Sequence, residues 1–235
     1  MIRKLYKTFI PNYVRHKIYE THIREYQEKE VSRILRIEAE IPEVELREEH
    51  IRNLKVLLNR DILLHYLPKY SVAAELGVDR GEFSSRILSI AQPKILHLID
   101  LWSSEEYPET LMHEVEKRFA TNIESSQVQI HRGYSYEELE KFQDSYFDWI
   151  YIDTDHTYET TRKELDVSKR KVKDEGLILG HDYIGHDYVM GSWNQHYRYG
   201  VIESVNEFCL KNNWEMIFLT HETHRHISYA IKRIP

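Results

Sequence analysis

The sequence is poor in cysteine and has neither a long apolar run nor an excess of positive charge. Cys209 is the only cysteine in 235 residues, which excludes an internal disulfide and a cysteine-based zinc site. No apolar stretch approaches the ~20 residues that a membrane-spanning helix needs. The net charge of -7 argues against nucleic acid as a partner, because such a surface needs a basic stripe. Together these features predict a cytoplasmic protein without a transmembrane segment.

The first 20 residues contain no apolar core of the kind found in secretory signals. They do carry five basic residues, with no acid before Glu20: Arg3, Lys4, Lys7, Arg15 and Lys17. Such a basic arm suits peripheral contact with a membrane surface or a partner. The alternative, which we favour, is a segment packed on its own domain or on a second subunit.

Glycine is absent before Gly77, which favours a helical extension over residues 1–68. Two apolar stripes predict one helix that Pro42 ends and a second that Pro68 ends. The first stripe is Val31, Ile34 and Leu35, and the second is Ile51, Leu54, Leu58 and Ile62. Since an extension of this kind covers a substrate site or forms a dimer interface, we expect a homo-oligomer.

From residue 69 to residue 235, strand patterns alternate with helix patterns. Continuous apolar runs such as 95–100 and 147–153 predict buried parallel strands with helices on both faces. The last two strands, 214–219 and 226–232, are expected to form a hairpin. The fold class predicted is therefore α/β, with a Rossmann-like doubly wound sheet and an N-terminal helical extension.

Residues 71–84 predict a strand, a tight turn and a helix. The strand ends at Glu75 and Leu76, and Gly77 and Gly81 follow with four-residue spacing. Gly77 can take a positive φ, and Gly81 is expected to let the helix start, with Phe83 and Ser84, pack close to the strand end. The N–H groups of this turn offer a site for a polar ligand group. The Gly-x-Gly-x-x-Gly pattern of dinucleotide-binding loops is absent.

Ligands of open α/β sheets bind at the carboxyl ends of the strands, so the residues there are candidate site residues. Asp100 ends the second strand, where a carboxylate can accept two hydrogen bonds from a ribose diol. The alternative role, capping the following helix, is less attractive because Ser103 and Ser104 are available. The remaining candidates follow the later strands: Leu101, Gly133, Tyr134, Ser135, Asp153, His156, His181 and Asp182.

The chain resembles the type-24 methyltransferase domain family, a branch of the class I methyltransferases that use S-adenosylmethionine (SAM). The resemblance covers about residues 70–232 and rests on three motifs in order. These are Glu75-Leu76-Gly77-x-x-x-Gly81-x-Phe83-Ser84, Asp153-x-Asp155-His156-x-Tyr158 and Gly180-His181-Asp182-Tyr183. One departure is Asp79, which stands where many methyltransferases have a third glycine.

The resemblance implies a seven-stranded sheet with its last strand antiparallel, and SAM bound across the middle. The first motif would meet the methionine part of SAM, Asp100 with Leu101 the ribose, and Gly133, Tyr134 and Ser135 the adenine edge. Asp153 would lie beside the cofactor.

A divalent cation is a second implication of the resemblance. Related small-molecule O-methyltransferases hold one at the fourth and fifth strand ends, and the matching positions here are Asp153, His181 and Asp182. Oxygen ligands suit Mg²⁺, whereas a histidine suits Mn²⁺, iron or zinc better. Three alternatives stay open: a softer metal, His181 as a base, or no metal.

The function predicted is a SAM-dependent O-methyltransferase acting on a small polyhydroxylated molecule such as a sugar or glycan precursor. His156, His181 and Asp182 are the expected catalytic residues, because a hydroxyl must lose its proton to attack the methyl group. The segment 183–200, rich in Tyr and His and containing Trp193, is expected to close over the substrate. The alternatives are a nicotinamide-dependent oxidoreductase and a non-catalytic SAM-binding subunit of a biosynthetic complex.

Overall fold

The computed structural model describes residues 12–104, 107–185, 188–190, 196–223 and 226–235. The chain divides into two compact units, residues 1–42 and residues 43–235. Of the basic arm, Arg3, Lys4 and Lys7 lie outside the described residues. The sequence placed the start of the methyltransferase domain at residue 69, and that boundary stays a prediction.

The first unit contains one long helix, α1 (Asn12–Glu40). It ends two residues before Pro42, as the sequence predicted. Side chains on it that are apolar yet exposed include Tyr19, Val31 and Leu35.

The second unit is built on one sheet of eight strands. In chain order these are β1 (Lys55–Leu57), β2 (Val72–Leu76), β3 (Ile95–Asp100), β4 (Val128–Arg132), β5 (Phe147–Ile152), β6 (Val172–Gly180), β9 (Trp214–Thr220) and β10 (Tyr229–Arg233). A separate antiparallel pair consists of β7 (Tyr188–Met190) and β8 (His196–Arg198). The helices are α2 (Arg60–His65), α3 (Glu82–Ile90), α4 (Glu109–Arg118), α5 (Ala120–Glu124), α6 (Ser135–Glu140), α7 (Tyr158–Lys171) and α8 (Val201–Asn212).

The spatial strand order is β1-β9-β10-β6-β5-β2-β3-β4. Only β10 runs against its neighbours β6 and β9; the other pairs in the sheet are parallel. The predicted doubly wound sheet with an antiparallel last strand is confirmed. Seven of the strands begin at or after Val72, and β1 adds an eighth at the edge beside β9.

The second helix predicted in the extension is wrong. The segment forms a short 3-10 helix (Glu48–His50), then β1, then α2. Of the four apolar residues that suggested one helix, Ile62 lies in α2, and Ile51, Leu54 and Leu58 lie in the turns and links around β1. Leu57 points into the core while Val56 stays exposed, and Leu63 of α2 is fully buried.

Two apolar clusters fill the two faces of the sheet, and neighbouring strand residues alternate between them. On β5, Trp149 and Tyr151 join the cluster that includes Leu63 and Ile87, while Ile150 joins the opposite one. Continuous apolar strands with both faces covered are what a parallel sheet requires. Within the described residues, no helix combines the length and apolarity needed to cross a membrane.

Candidate active site

Short backbone hydrogen bonds draw the carboxyl ends of the central strands together at one edge of the sheet. The Gly77 N–H donates to the Ile99 carbonyl at 2.9 Å, and the Asp153 N–H donates to Leu76 at 2.7 Å. The His181 N–H donates to the Ile152 carbonyl at 3.0 Å. The residues that follow β2, β3, β5 and β6 therefore face a common space.

The turn after β2 depends on glycine. Gly77 has a φ of +83°, and a Cβ there would lie 1.8 Å from the Asp153 carbonyl oxygen. Gly81 also has a positive φ, +73°, but its close neighbour is the Phe119 ring at 2.7 Å rather than the strand end. The predicted role of Gly77 is confirmed, and that of Gly81 is corrected to packing against α4.

Asp79 takes a left-handed conformation with a φ of +50°. It stands where many methyltransferases have a glycine, and Asp is among the side chains that tolerate this region best. Its side chain is exposed, so an aspartate in place of the glycine leaves the path of the turn unchanged.

Three further non-glycine residues with positive φ follow strands at the same edge: Trp102, His156 and Asp182. Such conformations cost of order 1–3 kcal/mol each and persist where the surroundings hold them. The surroundings of these three residues therefore hold a strained backbone at the strand ends.

Glu75 is buried beneath the turn and accepts a hydrogen bond from the Ser84 hydroxyl. Burial raises the pKa of the Glu75 carboxyl to about 8, against the lowering effect of Ser84. The group is therefore largely protonated at neutral pH and is ready to ionise when a cation approaches.

Asp100 is already engaged with the backbone around it. Its Oδ2 accepts the N–H groups of Val78 at 2.7 Å and Asp79 at 3.0 Å, and its Oδ1 accepts that of Trp102 at 3.2 Å. A carboxylate has about four lone-pair sites, so one acceptor position is left for a ligand hydroxyl, rather than the two predicted for a ribose diol. Asp100 thus holds the loop after β2 and the loop after β3 together at the predicted ribose position.

A cavity of about 570 Å³ lies over this edge of the sheet. Its size falls within the range of small-molecule sites. The predicted site residues that line it are Glu75, Gly77, Phe83, Asp100, Leu101, Gly133, Tyr134, Ser135, Asp153, His156 and His181. Leu76 and Ser84 are buried behind the wall, and Gly81 packs on Phe119.

Asp182 is buried and does not itself line the cavity, but it is the centre of a cluster in which His156 and His181 do. Its Oδ2 lies 3.0 Å from His156 Nε2, and its Oδ1 lies 3.5 Å from His181 Nδ1. His226 Nδ1 contacts the same Oδ1. His181 Nδ1 is also 3.5 Å from Asp153 Oδ1, so one imidazole lies between the two carboxylates.

The charges of this cluster stabilise one another. Burial alone would lower the pKa of His181, but Asp153 and Asp182 outweigh it and raise the pKa to about 9. Burial likewise opposes ionisation of Asp182, and the surrounding histidines lower its pKa to about 2. At neutral pH His181 is an imidazolium and Asp182 a carboxylate.

Asp153, His181 and Asp182 also have the geometry of a metal site. One ligand atom from each lies within 4.8 Å of the others, and they form the one such group found among the described residues. Two carboxylates and one imidazole fit a divalent cation such as Mn²⁺ better than Mg²⁺.

The sequence did not single out several residues of the site. Arg60 lines the cavity, and His226 completes the cluster. Glu164 of α7 is buried under it and accepts hydrogen bonds from Ser135 and Thr154. The predicted strand 226–232 begins at Tyr229, which leaves His226 free to reach Asp182 from the connecting segment.

Part of the predicted substrate cover, including Trp193, lies outside the described residues. The described parts of 183–200 include the strands β7 and β8, where the sequence suggested a loop. The Tyr199 ring lies 4.9 Å from that of His156.

Comparison with known proteins identifies the fold. Residues 74–183 match the family model of the type-24 methyltransferase domain. No curated protein matches the sequence of the chain.

Solved structures of methyltransferases share the architecture at low sequence identity. The pyocyanin biosynthetic protein PhzM is 11% identical with a TM-score of 0.56, and the match covers 75% of this chain and 55% of that chain. A SAM-dependent methyltransferase from Aquifex aeolicus is 12% identical with a TM-score of 0.52, covering 73% of this chain and 87% of that chain. The B. subtilis m1A22 tRNA methyltransferase TrmK is 13% identical with a TM-score of 0.51, covering 76% and 67%.

This chain spans only about half of the length of PhzM, 55%. The glycine turn after β2 and the cavity across the strand ends are both consistent with the match to a methyltransferase domain. Residues 74–183 match the type-24 methyltransferase domain, and the chain shares the fold of the SAM-dependent methyltransferases compared above.

Proposed function

We propose that this enzyme transfers the methyl group of SAM to a hydroxyl of a small polyhydroxylated molecule, such as a sugar or glycan precursor. The observation that carries the proposal is the cluster around Asp182 at the rim of the cavity. Methyl transfer to oxygen requires removal of the hydroxyl proton as the bond forms, and carboxylates and histidines are the groups that remove it.

In this proposal SAM lies across the strand ends with its methionine part over the turn at Gly77. The ribose is on Asp100, and the adenine is near Gly133, Tyr134 and Ser135. The sulfonium then faces Asp153, next to the cluster. The acid lining of the cavity suits the positive charge of this cofactor.

His181 and His156 have different roles in this proposal. His181 is held as an imidazolium between Asp153 and Asp182, so its single charge offsets part of the charge of the two carboxylates and it is not free to accept a proton. His156 contacts Asp182 through Nε2 and faces the cavity, which makes it the base or the group that orients the hydroxyl.

A divalent cation is the alternative way to neutralise the pair. It would be held by Asp153, His181 and Asp182, and a cation there lowers the pKa of a bound hydroxyl. In both cases Asp182 is central, because each arrangement depends on its carboxylate.

The test is formation of S-adenosylhomocysteine (SAH) from SAM in the presence of small hydroxylated acceptors. We expect Asp182→Asn to lower kcat by about 10²–10⁴-fold, the usual contribution of acid–base catalysis, with SAM affinity unchanged. The matched control is Asp174→Asn, since Asp174 is 96% exposed and pairs with Arg233 on the surface.

Treatment with a chelator distinguishes the metal-bound form of the cluster from the imidazolium form. Loss of activity that Mn²⁺ restores supports the metal form, and activity that survives chelation supports the imidazolium form. Wild-type activity in Asp182→Asn would contradict the proposal, as would methylation of nitrogen alone. SAM binding without turnover on any acceptor would favour the non-catalytic subunit.

Self-association through the N-terminal extension is a further part of the proposal. Exposed apolar side chains on α1, such as Tyr19 and Leu35, support it. The nicotinamide-dependent alternative is set aside, because the family match assigns the fold to SAM-dependent enzymes.

A further inference from the structure

Arg60 brings a cation into the cavity from outside the matched domain. It is the first residue of α2, and its N–H donates to Glu222 Oε1 at 2.6 Å. Its guanidinium carbon lies 4.4 Å from the centre of the Phe83 ring. Its Nη1 is 3.9 Å from Asp153 Oδ2. The backbone anchor and the ring together fix where the guanidinium points.

The charge of Arg60 is isolated among acids. Besides the protonated Glu75, five acidic residues are among the described residues that line the cavity: Asp79, Glu82, Asp100, Asp153 and Asp155. Arg60 is the one Lys or Arg in the same described lining. His181, the other cation in the described lining, is already held between Asp153 and Asp182, so Arg60 is the cation that an anionic group of a ligand can reach.

SAM carries both kinds of charge. Its sulfonium and ammonium groups are positive, and its α-carboxylate is its one negative group. In the acid-lined cavity this carboxylate would be repelled unless a cation met it.

The position of Arg60 matches the methionine end of the cofactor. In the sheet β2 lies between β3 and β5, so Asp100 and Asp153 end strands on opposite sides of the turn at Gly77. With the ribose on Asp100, the rest of SAM extends towards Asp153, and Arg60 is on that side.

We propose that the guanidinium of Arg60 binds the α-carboxylate of SAM and makes the enzyme selective for the complete cofactor. The inference rests on the assignment of SAM to this cavity. A guanidinium presents its donors in a planar fork that matches a carboxylate, and such charge-assisted pairs are among the stronger hydrogen bonds. The contact with Asp153, at 3.9 Å, is longer than a hydrogen bond, and the guanidinium also contacts the Tyr151 hydroxyl. Since a guanidinium has five N–H donors, others remain available to the ligand.

Two analogues of SAM measure the contribution of its α-carboxylate to binding. Decarboxylated SAM lacks that group alone, and 5′-methylthioadenosine lacks the whole amino-acid end. We expect calorimetry on the wild-type protein to show SAM binding at least ten times more tightly than decarboxylated SAM.

The variant Arg60→Gln should weaken SAM binding by roughly 10- to 100-fold, and change the affinity for decarboxylated SAM and for methylthioadenosine by less than twofold. Arg60→Lys should keep part of the preference. The matched control is Arg86→Gln, because Arg86 pairs with Asp61 near the same helix and does not line the cavity. It should leave all three affinities unchanged.

Equal weakening of all three ligands in Arg60→Gln would overturn the inference, since it would indicate a structural role. Unchanged SAM affinity in that variant would overturn it too. If the variant does not fold, equal affinity of the wild-type protein for SAM and decarboxylated SAM decides against it. Failure of the wild-type protein to bind SAM at all would instead overturn the cofactor assignment itself.

Discussion

The Asp100 carboxylate has two roles in this account. It accepts hydrogen bonds from the N–H groups of Val78, Asp79 and Trp102, and it faces the proposed ribose. We expect Asp100→Asn to weaken SAH binding by roughly 1.5–3 kcal/mol, the range for a hydrogen bond to a charged group. Comparing the binding affinities of SAH and its 2′-deoxy analogue separates the role in ribose binding from the role in loop structure. The wild-type protein should prefer the ribose form, and Asp100→Asn should lose most of that preference. An equal preference in both proteins would mean that Asp100 only shapes the loops.

Glu164 predicts a dependence of stability on pH. Burial raises the pKa of this carboxyl from 4.5 to about 8, although Ser135 and Thr154 donate hydrogen bonds to it. Between these two pH values the folded protein keeps a proton that the unfolded chain has lost. The contribution of Glu164 to stability therefore falls as pH rises through that window.

The variant Glu164→Gln removes this titration. Its melting temperature relative to the wild-type protein should rise steadily from pH 5 to pH 8. The matched control on the same helix is Glu159→Gln, since Glu159 is 73% exposed, and it should show a constant difference. A constant difference for Glu164→Gln as well would contradict the assigned pKa.

Residues such as Glu75, Asp100, Asp153, His181 and Asp182 were predictable because each stands next to a strand that its own sequence reveals. Arg60 and His226 were not. Arg60 lies in a segment whose apolar spacing resembled a helix, and His226 was one of several histidines in the last quarter of the chain. Their roles depend on contacts between distant parts of the chain, such as Arg60 with Glu222.

At the scale of elements, the junction between β2 and β5 is the tightest point of the site. The missing side chain of Gly77 leaves room for the carbonyl of Asp153. Gly77→Ala should lower the free energy of unfolding by about 1–3 kcal/mol from overpacking, and by a further ~1–2 kcal/mol from the left-handed φ. Chemical denaturation would measure this.

Gly185→Ala is the matched control, because no atom of the described residues lies within 4 Å of a Cβ at that position. Its stability should stay within about 0.5 kcal/mol of the wild-type value. If the two variants were equally stable, the close approach of the strand ends would be refuted.

The extension shows where element prediction from sequence fails. The helix α1 was predictable because it is long and ends at a proline. The strand β1 was not, since three residues have no clear period of their own and become a strand only by pairing with β9. The bond from Asn53 to Glu215, at 2.7 Å, fixes the same long-range contact.

At the scale of the whole molecule, the sheet order follows from the alternation of strands and helices. The strand order reverses between β2 and β5, and ligands of such sheets bind at that switch point, where the cavity lies. The cluster around Asp182 lies at the same edge, so cofactor and base come from separate strands of one rigid sheet. The central claim is that the reactive end of SAM faces this cluster.

A crystal structure of the protein with SAH tests that claim most directly. We predict the ribose on Asp100, the amino-acid carboxylate on Arg60, and the sulfur facing the space between Asp153 and His156. The acceptor would then approach from the side of Asp182. A sulfur atom turned away from these residues, with the cluster separated from it by protein, would contradict the account.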